Sequence, residues 1–193
     1  EINSNNKGIQ ITRFMEHTLS VNTIQSESDS QLEIIEFLRT IASSYDPQNT
    51  TFVVGMGQDK VSVRNKIFPF TERLKIIKSL SFELEEELPF SNDTAIYDAK
   101  VIHHFGSTAE VLACATPKNR IQKVLDLMQD SNIDLSILSA EGLAYANCFE
   151  KWFESIPNLP ATQVAIDESQ RPERLIHVHV VIGHTRTLVC AVE

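Results

Sequence analysis

Large aliphatic residues recur at a helical period between residues 68 and 90. They fall every three or four positions, which places them on one stripe of a helix: Leu74, Ile77, Leu80, Leu84 and Leu88. Thr71 is the expected N-cap of this helix. Pro89 is expected to end it, because proline has no N–H and restricts the residue before it. The spacing therefore predicts one long amphipathic helix.

Four glutamates crowd the C-terminal end of this predicted helix: Glu83, Glu85, Glu86 and Glu87. The helix dipole disfavours anions at this end by roughly 0.3–1 kcal/mol each. Two interpretations stay open. The cluster is either a solvated acidic face, which charge patterning alone favours, or a docking edge for a basic partner.

Strands and helices alternate along the rest of the chain. The first third predicts a β-β-α-β unit, in which strands at residues 7–13 and 17–23 pair and a buried strand follows at 51–54. Ser30 and Glu33 have the spacing of a capping box at the start of its helix. The middle third predicts strand, acidic helix, two strands (94–104 and 109–116) and a helix beginning at Pro117.

The last third opens with a predicted strand at residues 133–138, followed by a helix that Ser139 caps. A polar segment with three prolines, residues 157–174, predicts a linker. Two apolar strands, 175–182 and 186–192, then form a hairpin.

Composition narrows the function classes. The chain is 42% hydrophobic and 22% charged, which is typical of a soluble globular domain. A net charge of −9 makes a nucleic-acid backbone an unfavourable partner. No apolar run approaches the roughly 20 residues that span a bilayer. No signal peptide is visible, and because the chain begins at Glu1 without Met, we expect a fragment of a longer protein.

Few residues carry obvious chemistry. The three cysteines are far apart in apolar contexts, so we expect buried free thiols: Cys114, Cys148 and Cys190. His177 and His179 share one strand face, but no carboxylate or cysteine has matching spacing, and we expect no metal site. The turn at residues 183–187 has a glycine and hydroxyl residues that could present N–H groups to a phosphate. A hairpin turn explains the same residues without a ligand.

Three segments carry a family resemblance. Residues 67–70 read IFPF, and residues 81–90 read SFELEEELPF, which contains an E-L-E-x-x-L-P-F run. This run resembles the family of PilM and the cytoplasmic part of GspL, actin-like proteins similar to the division protein FtsA. Residues 139–144, SAEGLA, resemble the family's return from an inserted subdomain to the core. The resemblance covers nearly the whole chain and implies a role in type IV pilus or type II secretion machines.

The resemblance also places two phosphate loops, and both depart from the family pattern. The first, D-I-G-S-x-S followed by Lys, corresponds to residues 1–7, with Glu1 in place of Asp and with Ser4 and Lys7 retained. The second corresponds to residues 181–187, where a valine, Val181, replaces the Asp that would hold Mg²⁺. The cofactor-binding candidates are Ser4, Lys7, Gly183, Thr185 and Thr187. We expect no catalytic residue and no bound ATP or Mg²⁺.

These observations predict an α/β, actin-like (ribonuclease H-like) architecture. The expected parts are a core subdomain at 1–57 and 133–156, an inserted β-α-β-β-α (SHS2-like) subdomain at 58–132, a linker at 157–174, and the first hairpin of a second actin-like half at 175–193.

The resemblance implies a cytoplasmic scaffold at the inner face of the bacterial inner membrane. Its expected partners are the N-terminal domain of the motor ATPase and the cytoplasmic tail of a PilN- or GspM-like membrane protein. The partner-binding candidates are Glu83, Glu86 and Glu87. The alternatives are a weak actin-type ATPase and a self-assembling module, for example a homodimer.

Overall fold

The computed structural model describes residues 1–5, 8–20, 26–155, 177–183 and 186–192. Within them the chain forms nine strands and four α-helices. In chain order these are β1 (Ile2–Asn5), β2 (Gly8–Ile11), α1 (Glu27–Ala42), β3 (Phe52–Met56), β4 (Ser62–Phe68), α2 (Arg73–Glu83), β5 (Ala95–Phe105), β6 (Thr108–Pro117), α3 (Lys118–Asp130), β7 (Leu135–Ala140), α4 (Glu141–Ser155), β8 (His177–Ile182) and β9 (Thr187–Val192).

The chain divides into two compact units. One comprises residues 1–51 and 124–134, and the other comprises 52–123 and 135–193. The predicted linker, 157–174, lies outside the described residues. The order β4-α2-β5-β6-α3 is the predicted β-α-β-β-α order, whereas the assignment of residues to actin-like subdomains stays a prediction.

The first unit begins with an antiparallel pair, β1 and β2, in which Ile2 lies opposite Ile11 and Asn5 lies opposite Gly8. Gly8 has a φ of 127°, which glycine adopts without steric cost. The partner of β2 is the strand before it, and the predicted pairing of residues 7–13 with 17–23 is wrong for residues 17–20, which are not in a strand. Residues 21–23 lie outside the described residues.

Helix α1 begins four residues earlier than its predicted capping box. Ser26 is the N-cap, and its hydroxyl accepts a hydrogen bond from the Asp29 backbone N–H at 3.4 Å. Glu33 lies inside the helix instead, where its carboxylate accepts hydrogen bonds from the backbone N–H and hydroxyl of Ser20 and contacts His17 at 2.9 Å. The predicted capping role of Ser30 and Glu33 is therefore wrong, because Ser26 supplies the cap and Glu33 binds the preceding segment.

The second unit contains a parallel pair, β3 and β7, with Val53 opposite Ile137 and Met56 opposite Ala140. A short 3₁₀ helix, Gln58–Lys60, follows β3, and α4 follows β7. The predicted capping role of Ser139 is wrong because Ser139 lies in β7, paired with Gly55, and α4 begins at Glu141.

An antiparallel sheet in the order β4-β6-β5 forms the best-buried part of the same unit. Helix α2 packs on one face through Ile76, Leu80 and Leu84, which have no exposed surface. Opposite them lie mainly small side chains that let helix and sheet approach closely: Phe68, Ala99, Ala109, Val111, Ala113 and Ala115. Leu88, predicted on the buried stripe of the helix, lies beyond the end of α2 and is half-buried against the same core.

The bounds and apolar face of α2 differ from the predicted helix. It runs only from Arg73 to Glu83, with Glu72 rather than Thr71 at the N-cap. Ile76 takes the inner position predicted for Leu74, whose side chain is 66% exposed. The spacing of four between Ile76, Leu80 and Leu84 keeps the buried row on one side of this short helix.

The hairpin of β8 and β9 packs against α4. The rings of Phe149 and His179 stack with centroids 4.1 Å apart. The Cys190 thiol lies 3.7 Å from the carbonyl oxygen of Gly142. Cys190 is buried and Cys114 half-buried, but Cys148 on α4 is exposed, so the prediction of three buried thiols is wrong for Cys148. Across the described ranges, no helix combines the length and the apolar character needed to cross a membrane.

Candidate functional site

The turn that corresponds to the second phosphate loop is closed by its own backbone. The Gly183 N–H donates to the Arg186 carbonyl oxygen at 2.9 Å, directly after the paired residues Ile182 and Thr187. A Cβ at Gly183 would lie 2.9 Å from that oxygen, so only glycine fits without a backbone shift. Thr187 lies exposed at the start of β9. Thr185 lies outside the described residues.

Arg186 ties this turn to two acidic residues. Its Nη1 lies 2.9 Å from Asp59 Oδ1, and its Nη2 lies 3.1 Å from Glu141 Oε2. Asp59 belongs to the 3₁₀ helix after β3, and Glu141 is the first residue of α4, where the helix dipole favours a carboxylate. The guanidinium is thus held by carboxylates, and a phosphate approaching it would meet two negative charges.

A second pair of hydrogen bonds joins the same elements. The Gln58 backbone N–H donates to Glu141 Oε2 at 3.2 Å, and the Gln58 side-chain oxygen accepts from the Gly142 N–H at 3.2 Å. A Cβ at Gly142 would lie 2.4 Å from that oxygen. Sequence reasoning missed this cluster of Gln58, Asp59, Glu141 and Arg186. Its members come from three distant segments of the chain. The parallel pairing of β3 with β7 places Gln58 and Asp59, which follow β3, beside Glu141, which follows β7.

The first phosphate loop belongs to the other unit. Ser4 lies on β1, opposite Ile9. The Glu1 carboxylate accepts a hydrogen bond from the Tyr45 hydroxyl at 3.0 Å. Hydrogen bonds from Thr12 and Tyr45 lower the pKa of Glu1 below its usual value. Lys7 lies outside the described residues.

The acidic residues after α2 lie in a turn. The helix ends at Glu83, and the Glu87 N–H donates to the Leu84 carbonyl at 3.0 Å. Three of the four glutamates therefore lie beyond the helix, and the predicted dipole penalty on all four is wrong. Leu84, fully buried between Glu83 and Glu85, anchors the turn to the sheet core.

Only some of these glutamates face solvent without an ion pair. Glu87 forms ion pairs with Lys66 and, at 3.5 Å, with Arg64, both on β4. Its backbone carbonyl also accepts from Arg64 at 3.3 Å. Within the described part of the chain, no cation lies within ion-pair distance of the exposed residues Glu83, Glu85 and Glu86. The partner-binding candidates thus separate into two exposed carboxylates, Glu83 and Glu86, and one that binds β4.

The remaining candidates show no catalytic cluster. No three His, Cys, Asp or Glu side chains of the described ranges are placed to hold a metal ion. The rings of His177 and His179 share one face of β8 with centroids 6.4 Å apart. Burial, together with Asp98 across the β5–β6 pair, raises the pKa of the Cys114 thiol to about 11. Burial also raises the pKa of Cys190, so both thiols stay protonated near neutral pH.

The comparison with known families gives one extended match. The family model described as type IV pilus assembly protein PilM matches residues 1–179, which is most of the chain. The chain belongs to this family. The resemblance carried by the E-L-E-x-x-L-P-F run is thereby confirmed. No curated protein matches the chain.

Among the solved structures, two that are similar to parts of this chain come from pilus and secretion systems. A chain of the PilM–PilN type IV pilus biogenesis complex is 12% identical, with a TM-score of 0.64 over 84% of this chain and 45% of that one. The cytoplasmic domain of EpsL, an inner-membrane component of the type II secretion system of Vibrio cholerae, is 18% identical, with a TM-score of 0.42 over 54% of this chain and 42% of that one.

The chain therefore spans less than half the length of either structure. The mixed parallel and antiparallel sheets confirm an α/β fold, and the actin-like class stays a prediction.

Proposed function

We propose that this protein is a scaffold of a pilus or secretion assembly platform, which links a membrane protein to the motor ATPase at the inner face of the bacterial inner membrane. The family match over residues 1–179 carries this proposal. The partners are the cytoplasmic tail of a PilN- or GspM-like protein and the N-terminal domain of the motor ATPase. The similar solved structure is that of a PilM–PilN complex, which supports the first of these partners.

Charge complementarity supports an association through the acidic turn. The chain carries a net charge of −9, and the exposed carboxylates of Glu83 and Glu86 have no ion-pair partner among the described residues. A cationic tail or domain would gain favourable long-range attraction to this surface, mostly as a faster association rate. Glu87 contributes indirectly, because its ion pairs hold the turn on β4.

We further propose that the protein binds partners without hydrolysing ATP. Val181 offers no oxygen to Mg²⁺. The Gly183 N–H, which a phosphate would need, already donates to Arg186. The carboxylate of Glu141 accepts hydrogen bonds from Arg186 and Gln58, and these contacts disfavour its use as a general base. These contacts favour a structural role over the alternative of a weak actin-type ATPase.

The test is a kinetic binding assay with both proposed partners at low and at physiological salt. Reversal of Glu83 and Glu86 to Lys should slow association, and added salt should do the same, because exposed charges are screened beyond roughly 8 Å at physiological ionic strength. The control is reversal of Glu36 and Glu150, two exposed glutamates on α1 and α4, which changes the net charge equally.

If neither partner binds the parent protein, the scaffold proposal is wrong. If both partners bind, but equally fast to the Glu83/Glu86 reversal and to the Glu36/Glu150 control, the acidic turn is only a solvated surface.

A further inference from the structure

The outward face of α2 carries two large apolar side chains in contact with solvent. Leu74 is 66% exposed and Phe82 is 79% exposed. With Lys78 between them they are spaced four residues apart, so they form one row along the helix. This row, called here the outer ridge, lies opposite the buried row of Ile76 and Leu80.

The outer ridge contributes nothing to the core of its own domain. Single exposed apolar residues are normal on protein surfaces, but here two large ones share one row of a helix that is otherwise well anchored, with Lys78 between them. An exposed phenylalanine gives up the stabilisation that its large apolar area would gain on burial. Rows of residues spaced by four are also the ridges that helices commonly use to pack against other helices.

The charges at the two ends of the outer ridge differ. At the N-terminal end, Arg73 pairs with Asp98, and Lys75 pairs with Glu72 at 2.7 Å. At the C-terminal end, Phe82 is followed directly by Glu83 and then by Glu85 and Glu86, whose carboxylates have no cation within ion-pair distance in the described part of the chain. The two cations at the N-terminal end are thus compensated, whereas Lys78 at the centre of the ridge and the anions at its C-terminal end form no ion pair within the described residues.

We infer that the outer ridge is the docking site for a basic amphipathic helix of a partner protein. The apolar face of that helix covers Leu74 and Phe82, and its Lys or Arg residues lie over Glu83 and Glu86. This inference rests on the proposed function in that the partner is cationic, but it assigns the contact to two apolar residues outside the acidic turn. Buried aromatic residues commonly dominate the free energy of such interfaces, and a surrounding charged rim sets the association rate.

Lys78 limits which helices fit. It lies between the two apolar residues, so its methylene chain can pack against the partner helix while its ammonium group reaches solvent at the edge of the interface. A partner cation placed at the centre of the ridge would be repelled. The basic residues of the partner therefore belong at the end that meets Glu83, and removal of Lys78 should not weaken docking.

The probe for this site is a labelled Leu/Lys amphipathic peptide of about 18 residues, long enough to form a helix when bound. Its binding to the full chain is measured by fluorescence anisotropy at low and at physiological salt. Phe82→Ala and Leu74→Ala should each weaken binding by about tenfold. The matched control is Ile67→Ala, because Ile67 on β4 is an equally exposed aliphatic residue, at 70%, away from the ridge. Ile67→Ala and Lys78→Ala should bind as the parent does.

Several results would overturn this inference. The inference is wrong if the parent protein does not bind the peptide, or if Phe82→Ala binds it as tightly as the parent does. It is also wrong if Ile67→Ala loses as much affinity as Phe82→Ala, or if a Leu/Glu peptide binds equally well. The substituted residues are exposed, so unchanged melting temperatures should show that the variants are folded.

The same variants, tested with the membrane-protein tail and the ATPase domain, separate the two proposals. If Phe82→Ala still binds these partners as the parent does, the scaffold proposal stands and the outer ridge is not the docking site. If the peptide binds in a way that depends on Phe82 but neither partner binds, the outer ridge is a docking site and the scaffold proposal is wrong.

Discussion

Glu87, in the turn after α2, forms an ion pair with Lys66 on strand β4. Lys66 is 20% exposed and Glu87 is 41% exposed, so solvent screens this pair only in part. We expect Glu87→Gln to lower the free energy of unfolding by up to about 1 kcal/mol. Glu86→Gln, which breaks no ion pair, should change it by less than about 0.5 kcal/mol. Urea denaturation measures both, and equal losses would mean that the Glu87 pair contributes no specific stabilisation.

Leu84 should be the most sensitive position of the acidic turn. Its side chain is fully buried against the sheet, so Leu84→Ala leaves a cavity and should cost about 2–5 kcal/mol. Leu88→Ala should cost less, because Leu88 is only half-buried. Leu74→Ala is the control from the exposed side of α2 and should stay within about 0.5 kcal/mol. A loss below about 0.5 kcal/mol for Leu84 in urea denaturation would contradict this packing.

Cys114 should make stability fall at alkaline pH. Its pKa is raised from 9.0 to about 11 in the folded protein, so the folded state favours the neutral thiol. The stabilisation is complete below pH 9 and is lost as the pH rises towards 11. Its full size is at most about 3 kcal/mol, and partial exposure of Cys114 reduces it.

The measurement compares urea denaturation of the parent and Cys114→Ala at neutral pH and near pH 10. The pKa values of Tyr97 and Cys190 are also raised, so both proteins should lose stability, and the parent should lose more. Equal losses in the two proteins would contradict the raised pKa of Cys114.

ATP should neither be hydrolysed nor bind with more than weak affinity. The reasons are the missing Mg²⁺ ligand at Val181 and the internal hydrogen bond of the Gly183 N–H. Calorimetric titration with ATP and Mg²⁺ is the measurement. Low-micromolar binding that is lost in Lys7→Ala would show that the phosphate loops function. Gly183→Val is a poorer control, because its side chain would clash with the Arg186 carbonyl and disturb the hairpin itself.

The sequence predicted the order of the helices and strands better than it predicted which strands pair and which residues cap the helices. The strands of the β4-β6-β5 sheet followed from local periodicity and turn residues, whereas the periodicity placed Leu88 in a helix that ends five residues before it. The pairing of β2 and the N-cap of α1 did not follow from them. At the cap, the carboxylate of Glu33 binds Ser20 instead of the N-terminus of the helix.

The candidate site was predictable only as separate segments. The E-L-E-x-x-L-P-F run located the acidic residues. It could not predict the hydrogen bond from Arg64 to the Glu87 carbonyl, which depends on the register of β4 in the sheet. The cluster around Arg186 unites residues from three distant segments. Helical periodicity placed Leu74 in the buried row, but Ile76 takes that position, because the sheet below α2 decides which side of the helix is covered.

The parallel pairing of β3 with β7 has a consequence for the order of folding. Phe52 lies opposite Leu135, so this contact closes a loop that contains the whole β4-β6-β5 sheet. Closing a long loop costs chain entropy, and contacts distant along the chain form slowly. The β5–β6 hairpin, by contrast, joins neighbours across a two-residue turn. We therefore expect the β4-β6-β5 sheet to form early, to shorten the effective span between β3 and β7, and so to act as a nucleus for these two strands.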